Sequence, residues 1–275
     1  MHRRWTLLMI CLAAAVAGCA TAPVPSRGAG DGPADDSEFE AAHCSAPIRA
    51  LIPSTNHATI ACADASLRPD VQYCACTLVL QTEAAQSDPA PWYVQRGAAL
   101  LRLGETERAI RDLDEALASR PELAAAYLHR GDAYRSQKDY GRALVDYNQA
   151  LELEPKLAPA LSARCWTRAV WHKAFDKALA DCDAALLLQP GDAVTLSSRA
   201  LVHYQLAQYD LAIADCDASL AADPAAPAAC HYIRGLAQRQ RGADDAARAD
   251  LAAARALDGD IERRYREFGV RPEQP

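Results

Sequence analysis

Aromatic side chains are scarce in this chain: phenylalanine, tryptophan and tyrosine together make up 6% of its 275 residues. Hydrophobic residues nevertheless reach 51% of the total, and much of that fraction is alanine. Alanine has the highest helix propensity, and its small side chain lets helices approach one another closely. The composition therefore favours closely packed helices and argues against a β-sandwich.

Motifs for catalysis and for nucleic-acid binding are also missing. The net charge is −7, and no run rich in lysine and arginine follows the first few residues, so nucleic acid is not an expected partner. The chain has no HExxH motif, no GxSxG elbow and no phosphate-binding loop, and its seven histidines are scattered. We therefore predict a protein that is not an enzyme and uses no cofactor.

A strongly apolar run lies at the start of the chain. Arg3 and Arg4 precede apolar residues from Trp5 to Val16. The run is too short for a comfortable membrane span and is followed by small residues, which is typical of a secretory signal. We assign residues 1–18 to a signal peptide.

The end of this signal is Val16-Ala17-Gly18-Cys19, which resembles the lipobox of bacterial lipoproteins. In that family the chain is cut before the cysteine, whose thiol is lipidated and whose amine is acylated, with palmitate among the acyl chains. The resemblance implies that Cys19 anchors the protein to a membrane. The residue after Cys19 is Ala20 and not an aspartate. In that family this implies sorting to the outer membrane of a two-membrane bacterium, with the protein facing the periplasm. The alternative is an ordinary cleaved signal in which Cys19 has no role.

Cysteine usage agrees with export. Of ten cysteines, Cys11 lies in the signal and Cys19 at the anchor, which leaves eight. An even number in an oxidising compartment indicates disulfides. Zinc is the rival interpretation, but Cys74 and Cys76 are separated by one residue instead of two, and no histidine is suitably spaced beside them. No metal site is predicted.

From about residue 88 the sequence repeats itself with a period near 34. Prolines end four of the units at intervals of 34, 35 and 34 residues: Pro121, Pro155, Pro190 and Pro224. Small residues recur in the first half of each unit (Gly97, Gly131, Cys165, Ala200 and Gly235) and alanines in the second (Ala109, Ala143, Ala178, Ala212 and Ala247). A larger side chain at the small positions would push two crossing helices apart. Each unit is therefore predicted to be a helical hairpin.

This pattern resembles an array of tetratricopeptide repeats (TPRs). The second unit has the family's spacing at eight positions: Tyr127, Gly131, Tyr134, Tyr140, Ala143, Tyr147, Ala150 and Pro155. The resemblance implies an all-α, right-handed α-solenoid of about five TPR hairpins over residues 88–258. The third unit departs from the pattern, with Cys165 in place of glycine and one extra residue before Phe175. The fifth has Gly259 where the final proline is expected.

An arginine directly precedes the small residue in the first half of each unit. An aspartate follows each arginine 16 residues later, or 17 residues later in the third unit. The pairs are Arg96–Asp112, Arg130–Asp146, Arg164–Asp181, Arg199–Asp215 and Arg234–Asp250. Because a hairpin brings these positions together, we predict a partly buried structural ion pair in every repeat. The alternative is a basic ladder that binds a ligand.

The segments before the repeats have different compositions. Residues 19–37 are rich in proline, glycine and aspartate and are predicted to be a flexible tether. Residues 38–87 hold four cysteines and are predicted to be a Cys-rich helical cap. The disulfide that we predict first is Cys44–Cys62, with Cys74 or Cys76 bonded elsewhere. Four cysteines allow three different pairings, and the sequence does not choose among them. Cys74 and Cys76 point roughly 200° apart on a helix and should not pair with each other.

Four further cysteines lie in the array. Cys216 and Cys230 are the more reachable pair, and Cys165 with Cys182 is also possible. Cys182 and Cys216 occupy equivalent sites in neighbouring repeats, about 10 Å apart, which is too far for a disulfide. The alternative is that all four are small, buried and reduced. Residues 259–275 are predicted to form a C-terminal capping helix with three apolar residues at helical spacing: Ile261, Tyr265 and Phe268.

In the TPR family the first helices of the hairpins line a concave groove. Helical spacing places nine residues of this chain on that face: Leu128, Asp132, Arg135, Trp166, Leu201, Tyr204, Tyr232, Leu236 and Arg239. From the third repeat onward the face is apolar and aromatic, which is typical of a binding surface. The alternative is that the C-terminal helix folds back and covers it. The face lacks the lysines and asparagines of the family's carboxylate-clamp members.

These features together predict a scaffold or adaptor, anchored by lipid and facing the periplasm, that binds other envelope proteins or peptides through its concave groove. The alternative role, also implied by the resemblance to TPR lipoproteins, is a dedicated structural subunit such as a pilotin or an outer-membrane assembly component. The sequence leaves the oligomeric state and the identity of the partner open.

Overall fold

The computed structural model describes residues 36–223 and 228–270. The predicted signal peptide, Cys19, Pro224 and nearly all of the tether lie outside the described residues. Contacts divide the chain into two units, Met1–Phe39 and Glu40–Pro275, and the second unit contains all the repeats. Within the described ranges, no helix combines the length and the apolar character needed to cross a bilayer.

Every regular element in the described residues is a helix, as the composition predicts. Five short helices precede the repeats: α1 (Asp36–His43), α2 (Ala46–Arg49), α3 (Thr55–Ala63), α4 (Pro69–Leu80) and α5 (Glu83–Ser87). Five hairpins follow: α6 (Ala90–Leu103) with α7 (Thr106–Ser119), α8 (Ala124–Ser136) with α9 (Tyr140–Leu153), α10 (Ala158–Val170) with α11 (Phe175–Leu188), α12 (Ala193–Gln205) with α13 (Tyr209–Ala222), and α14 (Ala228–Gln240) with α15 (Asp244–Leu257). A last helix, α16, spans Ile261–Glu267. The predicted solenoid of five hairpins is confirmed.

In the first, second and fifth hairpins the small residue in the first helix is a glycine that faces a large side chain on the second helix. A Cβ atom added at Gly131 would lie 2.6 Å from Cε1 of Tyr147, which is shorter than any ordinary contact. Gly97 and Gly235 face leucines in the same way, at 2.9 Å. Glycine is needed at these positions because the second helix packs directly against the backbone of the first.

The third hairpin solves the same packing problem with a covalent bond. Cys165 stands where the second hairpin has Gly131, and it forms a disulfide with Cys182, 17 residues later. Cys182 occupies the position that Tyr147 has in the second hairpin. The cysteine that departs from the family pattern therefore replaces a glycine contact with a disulfide at the same crossing point.

All five predicted arginine–aspartate pairs are present, with N···O distances of 2.6–2.8 Å. The aspartates are at most 7% exposed. Burial opposes the charge of Asp250, but hydrogen bonds from Arg234 and His231 outweigh it and keep the pKa of that carboxyl below its usual value. In the third repeat Arg168 also contacts Asp181, so two guanidinium groups share one carboxylate.

Each of these arginines also reaches the preceding hairpin, which the sequence analysis missed. In repeats two to five the remaining guanidinium nitrogen donates to a residue two positions beyond the preceding aspartate, at 2.6–2.8 Å: Asp114, Asn148, Asp183 and Asp217. The regular spacing of these four acceptors was the available signal. One side chain thus fixes both the crossing inside a hairpin and the stacking between hairpins.

The Cys-rich region is a cap, but its disulfide differs from the predicted one. Cys62 bonds to Cys76, 14 residues later, and joins α3 to α4. The predicted Cys44–Cys62 pairing is wrong, because α3 and α4 pack as a hairpin that places Cys62 against Cys76. Cys44 and Cys74 are free thiols.

The cap stacks on the first repeat as an additional hairpin would. Helix α4 packs against α6, and Arg96 extends from α6 to the hydroxyl of Thr77 at 3.5 Å. Arg102 donates to the carbonyl oxygen of Ala65 at 2.8 Å and to the side-chain oxygen of Gln72 at 3.0 Å. The apolar face of the first repeat is therefore covered, as the end of a solenoid requires.

Candidate functional site

The last ten described residues, 261–270, form a C-terminal segment that packs onto the repeats. Its apolar side chains are buried, with Ile261, Tyr265, Phe268 and Val270 between 2% and 9% exposed. Gly269 ends α16 in the left-handed conformation, at φ +69°. The turn is closed by the amide of Val270, which donates to the carbonyl oxygen of Tyr265 at 2.9 Å.

This C-terminal segment extends from the fifth repeat back to the third. The ring of Phe268 meets Trp166 edge-on, with centroids 5.5 Å apart. Tyr265 stacks against Tyr232 at 5.0 Å. The Nε2 atom of His172 lies 2.6 Å from the carbonyl oxygen of Phe268, within hydrogen-bond distance. The segment is therefore anchored at both of its ends.

The predicted groove surface at the fourth and fifth repeats is consequently not open. Leu201, Tyr232 and Leu236 are at most 2% exposed and share one hydrophobic core with the C-terminal segment. The prediction that they contact a partner is wrong for this structure, because the chain's own apolar residues remove them from water. The alternative, a C-terminal helix that covers this face, is what the structure contains.

Two other predicted groove residues lie away from the cleft described next. Tyr204 is half-buried, and its ring packs against Tyr209 with centroids 5.8 Å apart. Arg239 is exposed on α14. Neither side chain lines either of the two cavities at the concave surface.

The second, third and fourth repeats retain an open part of the groove, which we call the concave cleft. It comprises two adjoining cavities of about 620 and 350 Å³. Its walls are α8, α10, α12 and the start of α14, and the C-terminal segment closes one side. Four residues line both cavities: Arg135, Trp166, Val194 and Ser198.

A hydrogen-bond network positions the positively charged guanidinium of Arg135 in this cleft. Tyr147 donates its hydroxyl to Oδ1 of Asp132 at 2.8 Å, and Arg135 donates to both the Tyr147 oxygen and the Asp132 carboxylate at 3.1 Å. The guanidinium of Arg135 lies 5.1 Å from the centre of the Trp166 ring. Burial would lower the pKa of Arg135, but Tyr147 and Asp132 outweigh it and raise the pKa, so the group stays cationic.

Five of the nine predicted groove residues therefore line the cleft: Leu128, Asp132, Arg135, Trp166 and Leu201, the last of which is only 1% exposed. The sequence analysis missed Val194, whose side chain is 59% exposed and lines both cavities. Val194 lies one helical turn before Ser198 on α12. Extending the helical stripe by one turn toward the start of that helix would have found it.

The chemistry of the cleft suits recognition of a polypeptide. An indole ring and an exposed valine offer apolar contact, while serine hydroxyls, a guanidinium and carboxylates offer hydrogen bonds. In the part of the chain that the structure describes, no group of three or more histidine, cysteine, aspartate or glutamate side chains could hold a metal ion.

Comparison with known proteins identifies the class of fold. Residues 124–157, the second hairpin, match the tetratricopeptide repeat family. A search of curated proteins found no match. MamA from Desulfovibrio magneticus RS-1 is 21% identical, with a TM-score of 0.53 over 63% of this chain and 97% of that one. The TPR protein YrrB is 19% identical, with a TM-score of 0.51 over 68% and 97% of the two chains.

A larger assembly shows the same architecture. The Cut9–Hcn1 hetero-tetramer of the APC/C gives a TM-score of 0.60 at 15% identity, over 78% of this chain and 44% of that one. At sequence identities this low, the structural similarity shows a shared fold alone. The protein is thus an α-solenoid of the TPR type that contains a recognisable tetratricopeptide repeat.

Proposed function

We propose that this protein is a lipid-anchored adaptor of the bacterial envelope that binds an extended segment of another envelope protein in the concave cleft. The observation that carries the proposal is the uneven covering of the groove. The C-terminal segment buries the face at the fourth and fifth repeats, whereas Trp166 and Val194 border open space in the third and fourth.

The geometry of the cleft supports an extended peptide as the bound form. A strand advances about 3.3 Å per residue, so several residues span the width of three stacked first helices. YrrB, described as a TPR protein with an unusual peptide-binding site, is a precedent for peptide binding on this fold. An apolar side chain of the partner would pack against Val194 and the edge of Trp166. Ser198 would lie beside the partner's backbone.

The proposed location rests on the N-terminal sequence. The run from Val16 to Cys19 resembles a lipobox, and the following residues, rich in proline, glycine and aspartate, would separate the solenoid from the lipid surface. The eight further cysteines, two pairs of which are bonded in the structure, support an oxidising compartment.

A charge placed on the wall of the cleft tests the proposal. Val194→Asp puts a carboxylate beside Trp166 without disturbing the core, because the valine is already 59% exposed. We expect recovery of the partner with the protein, purified from solubilised membranes, to fall about tenfold or more, as at a binding hot spot. Helicity measured by circular dichroism should not change.

The chain offers a matched control. Val145 is 66% exposed on α9, the second helix of its hairpin, and lines neither cavity. Val145→Asp introduces the same charge at a similar exposure and should leave partner recovery unchanged. Equal recovery with both variants would place the binding surface elsewhere.

A further inference from the structure

Four buried cysteines have no disulfide partner in the structure. Cys74, Cys216 and Cys230 are 0% exposed, and Cys44 is 4% exposed. Free thiols at such positions would ordinarily be inert small hydrophobes. These four, however, lie as two adjacent pairs, Cys44 with Cys74 and Cys216 with Cys230.

The first pair joins the start of the cap to helix α4. The Cys44 and Cys74 thiols contact each other through a hydrogen bond. The residues just before them are also neighbours, since the rings of His43 and Tyr73 meet edge-on with centroids 6.2 Å apart. Arg49 donates to the carbonyl oxygen of Cys44 at 2.9 Å and fixes the backbone there.

The second pair joins the fourth hairpin to the fifth. Cys216 lies on α13 and Cys230 on α14, and their thiols are hydrogen-bonded inside one hydrophobic core. An ion pair next to them holds the same two helices together, with Asp217 and Arg234 at 2.6 Å. Both thiols are therefore held in register by neighbouring contacts.

The repeat pattern explains why Cys216 contacts Cys230 and not a cysteine of its own hairpin. Cys216 occupies the position in its hairpin that Cys182 has in the third, facing the small residue of the first helix. In the third hairpin that small residue is Cys165, and a disulfide forms. In the fourth it is Ala200, which has no thiol. Cys230 on the next helix is then the thiol that Cys216 contacts.

The environment of each pair favours one nucleophilic thiolate. The hydrogen bond from Cys216, with smaller contributions from the Ser197 and Ser219 hydroxyls, lowers the pKa of Cys230 to about 6, although burial opposes this. The same hydrogen bond and burial raise the pKa of Cys216. In the cap, the hydrogen bond from Cys44 lowers the pKa of Cys74. A thiolate beside a protonated thiol is the arrangement from which thiol–disulfide exchange proceeds.

We propose that Cys44–Cys74 and Cys216–Cys230 close as disulfides, so that the eight cysteines after Cys19 form four bonds. In each closure two S–H bonds break and one Sγ–Sγ bond forms. Two electrons and two protons pass to a small disulfide oxidant of the glutathione disulfide class, which is reduced to two thiols. The first bond fixes the start of the cap, and the second covalently links two hairpins.

The second bond would lie at the base of the C-terminal segment. Tyr265 belongs to the same hydrophobic core as Cys216 and Cys230, and burial raises the pKa of its phenol. The disulfide would therefore rigidify the floor on which Tyr265 packs. This proposal is independent of the location proposed above, because its test supplies the oxidant.

Peptide mapping of the full chain tests the proposal directly. The reduced, denatured protein is refolded in a glutathione and glutathione disulfide buffer, denatured again, and alkylated with N-ethylmaleimide. Digestion before aspartate separates Cys216 from Cys230 by cutting at Asp217 and Asp223, and trypsin cuts between Cys44 and Cys62 after Arg49. We expect disulfide-linked peptides for both pairs and no alkylation at the four cysteines. Alkylated thiols at these positions, with Cys62–Cys76 and Cys165–Cys182 bonded, would overturn it.

Single substitutions identify the partners. In Cys230→Ser, Cys216 should be the one alkylated thiol among the cysteines that follow Cys19. Cys74→Ser should do the same for Cys44, which resolves the ambiguity that Cys74 and Cys76 share a peptide. In each variant the other three disulfides should remain. Alkylation of Cys62 in Cys74→Ser, or a new bond from Cys216 to another cysteine in Cys230→Ser, would contradict the assigned pairs.

Discussion

The crossing point inside each hairpin depends on a single residue. In the first, second and fifth repeats this residue is a glycine, whose missing side chain makes room for a leucine or tyrosine. In the third repeat it is a cysteine that is bonded to the cysteine at the facing position. The arginine before it bonds both to its own hairpin and to the preceding one. Two adjacent residues in each first helix thus specify local and longer-range packing together.

Replacing Gly131 with alanine tests this crossing point. The new methyl group would lie 2.6 Å from the Tyr147 ring, which is itself fully buried and cannot move freely. We expect a loss of about 1–3 kcal/mol in the free energy of unfolding, the usual cost of overpacking a core. The midpoint of urea unfolding measures it.

Gly259 provides the control for that substitution. A Cβ atom there would meet nothing within 4 Å, and the backbone is not in the left-handed region. Gly259→Ala should therefore change the midpoint little or raise it slightly, because alanine restricts the unfolded chain. If both variants unfolded at the same urea concentration, the packing at Gly131 would not be as tight as the structure indicates.

At the scale of elements, the C-terminal segment decides which part of the groove is available. Its helix is seven residues long and would not be stable alone in water. It is ordered because Tyr265 and Phe268 pack on aromatic residues of the fifth and third repeats. Ordering of the segment and closure of that end of the groove are therefore one event.

Phe268→Ala should loosen this segment without unfolding the solenoid. The substitution removes the contacts with Trp166 and Tyr265, and truncating a buried phenylalanine costs about 3 kcal/mol or more. We expect amide hydrogen exchange across residues 261–270 to accelerate by about tenfold or more, while exchange in α8 and α10 stays slow. Mass spectrometry of peptic peptides measures both regions in one experiment.

An exposed apolar residue serves as the comparison. Leu211 is 51% exposed on α13, and Leu211→Ala removes apolar atoms without opening a core. Exchange in the C-terminal segment should then match the unmodified protein. Unchanged protection in Phe268→Ala would show that the segment is held by other contacts, such as the one between His172 and the carbonyl oxygen of Phe268.

The whole molecule combines an acidic body with an N-terminal segment of quite different character. The chain carries a net charge of −7, and its sequence has no long run of lysine and arginine after the first few residues. The proposed membrane attachment depends on the lipid at Cys19. That cysteine and its surroundings lie outside the described residues.

Cys19→Ala tests attachment at this scale. Removing the thiol that receives the lipid should either move the protein from the membrane fraction to the soluble fraction or leave it as a precursor with its signal peptide attached. Immunoblotting of fractionated cells detects both the location and the size of the protein. Cys11→Ala, which changes a cysteine within the predicted signal, should leave the protein in the membrane fraction. Membrane retention of a Cys19→Ala protein that has lost its signal peptide would argue against lipid attachment at this residue.

The sequence by itself determined the hairpins, their number and the five arginine–aspartate pairs. These features are periodic and arise between residues close in sequence, so that Gly131 and Tyr147, or Arg130 and Asp146, can be matched from spacing alone. The position of α16 was also visible, from the helical spacing of its apolar residues.

Only the tertiary structure decided what covers the groove and which cysteines meet. The contact of Phe268 with Trp166 joins residues about a hundred positions apart, and no repeat period encodes it. The bond from Cys62 to Cys76 depends on how α3 folds against α4 in a cap that follows no strict repeat. Long-range docking of this kind is determined by the summed burial of apolar surface, which a local pattern does not contain.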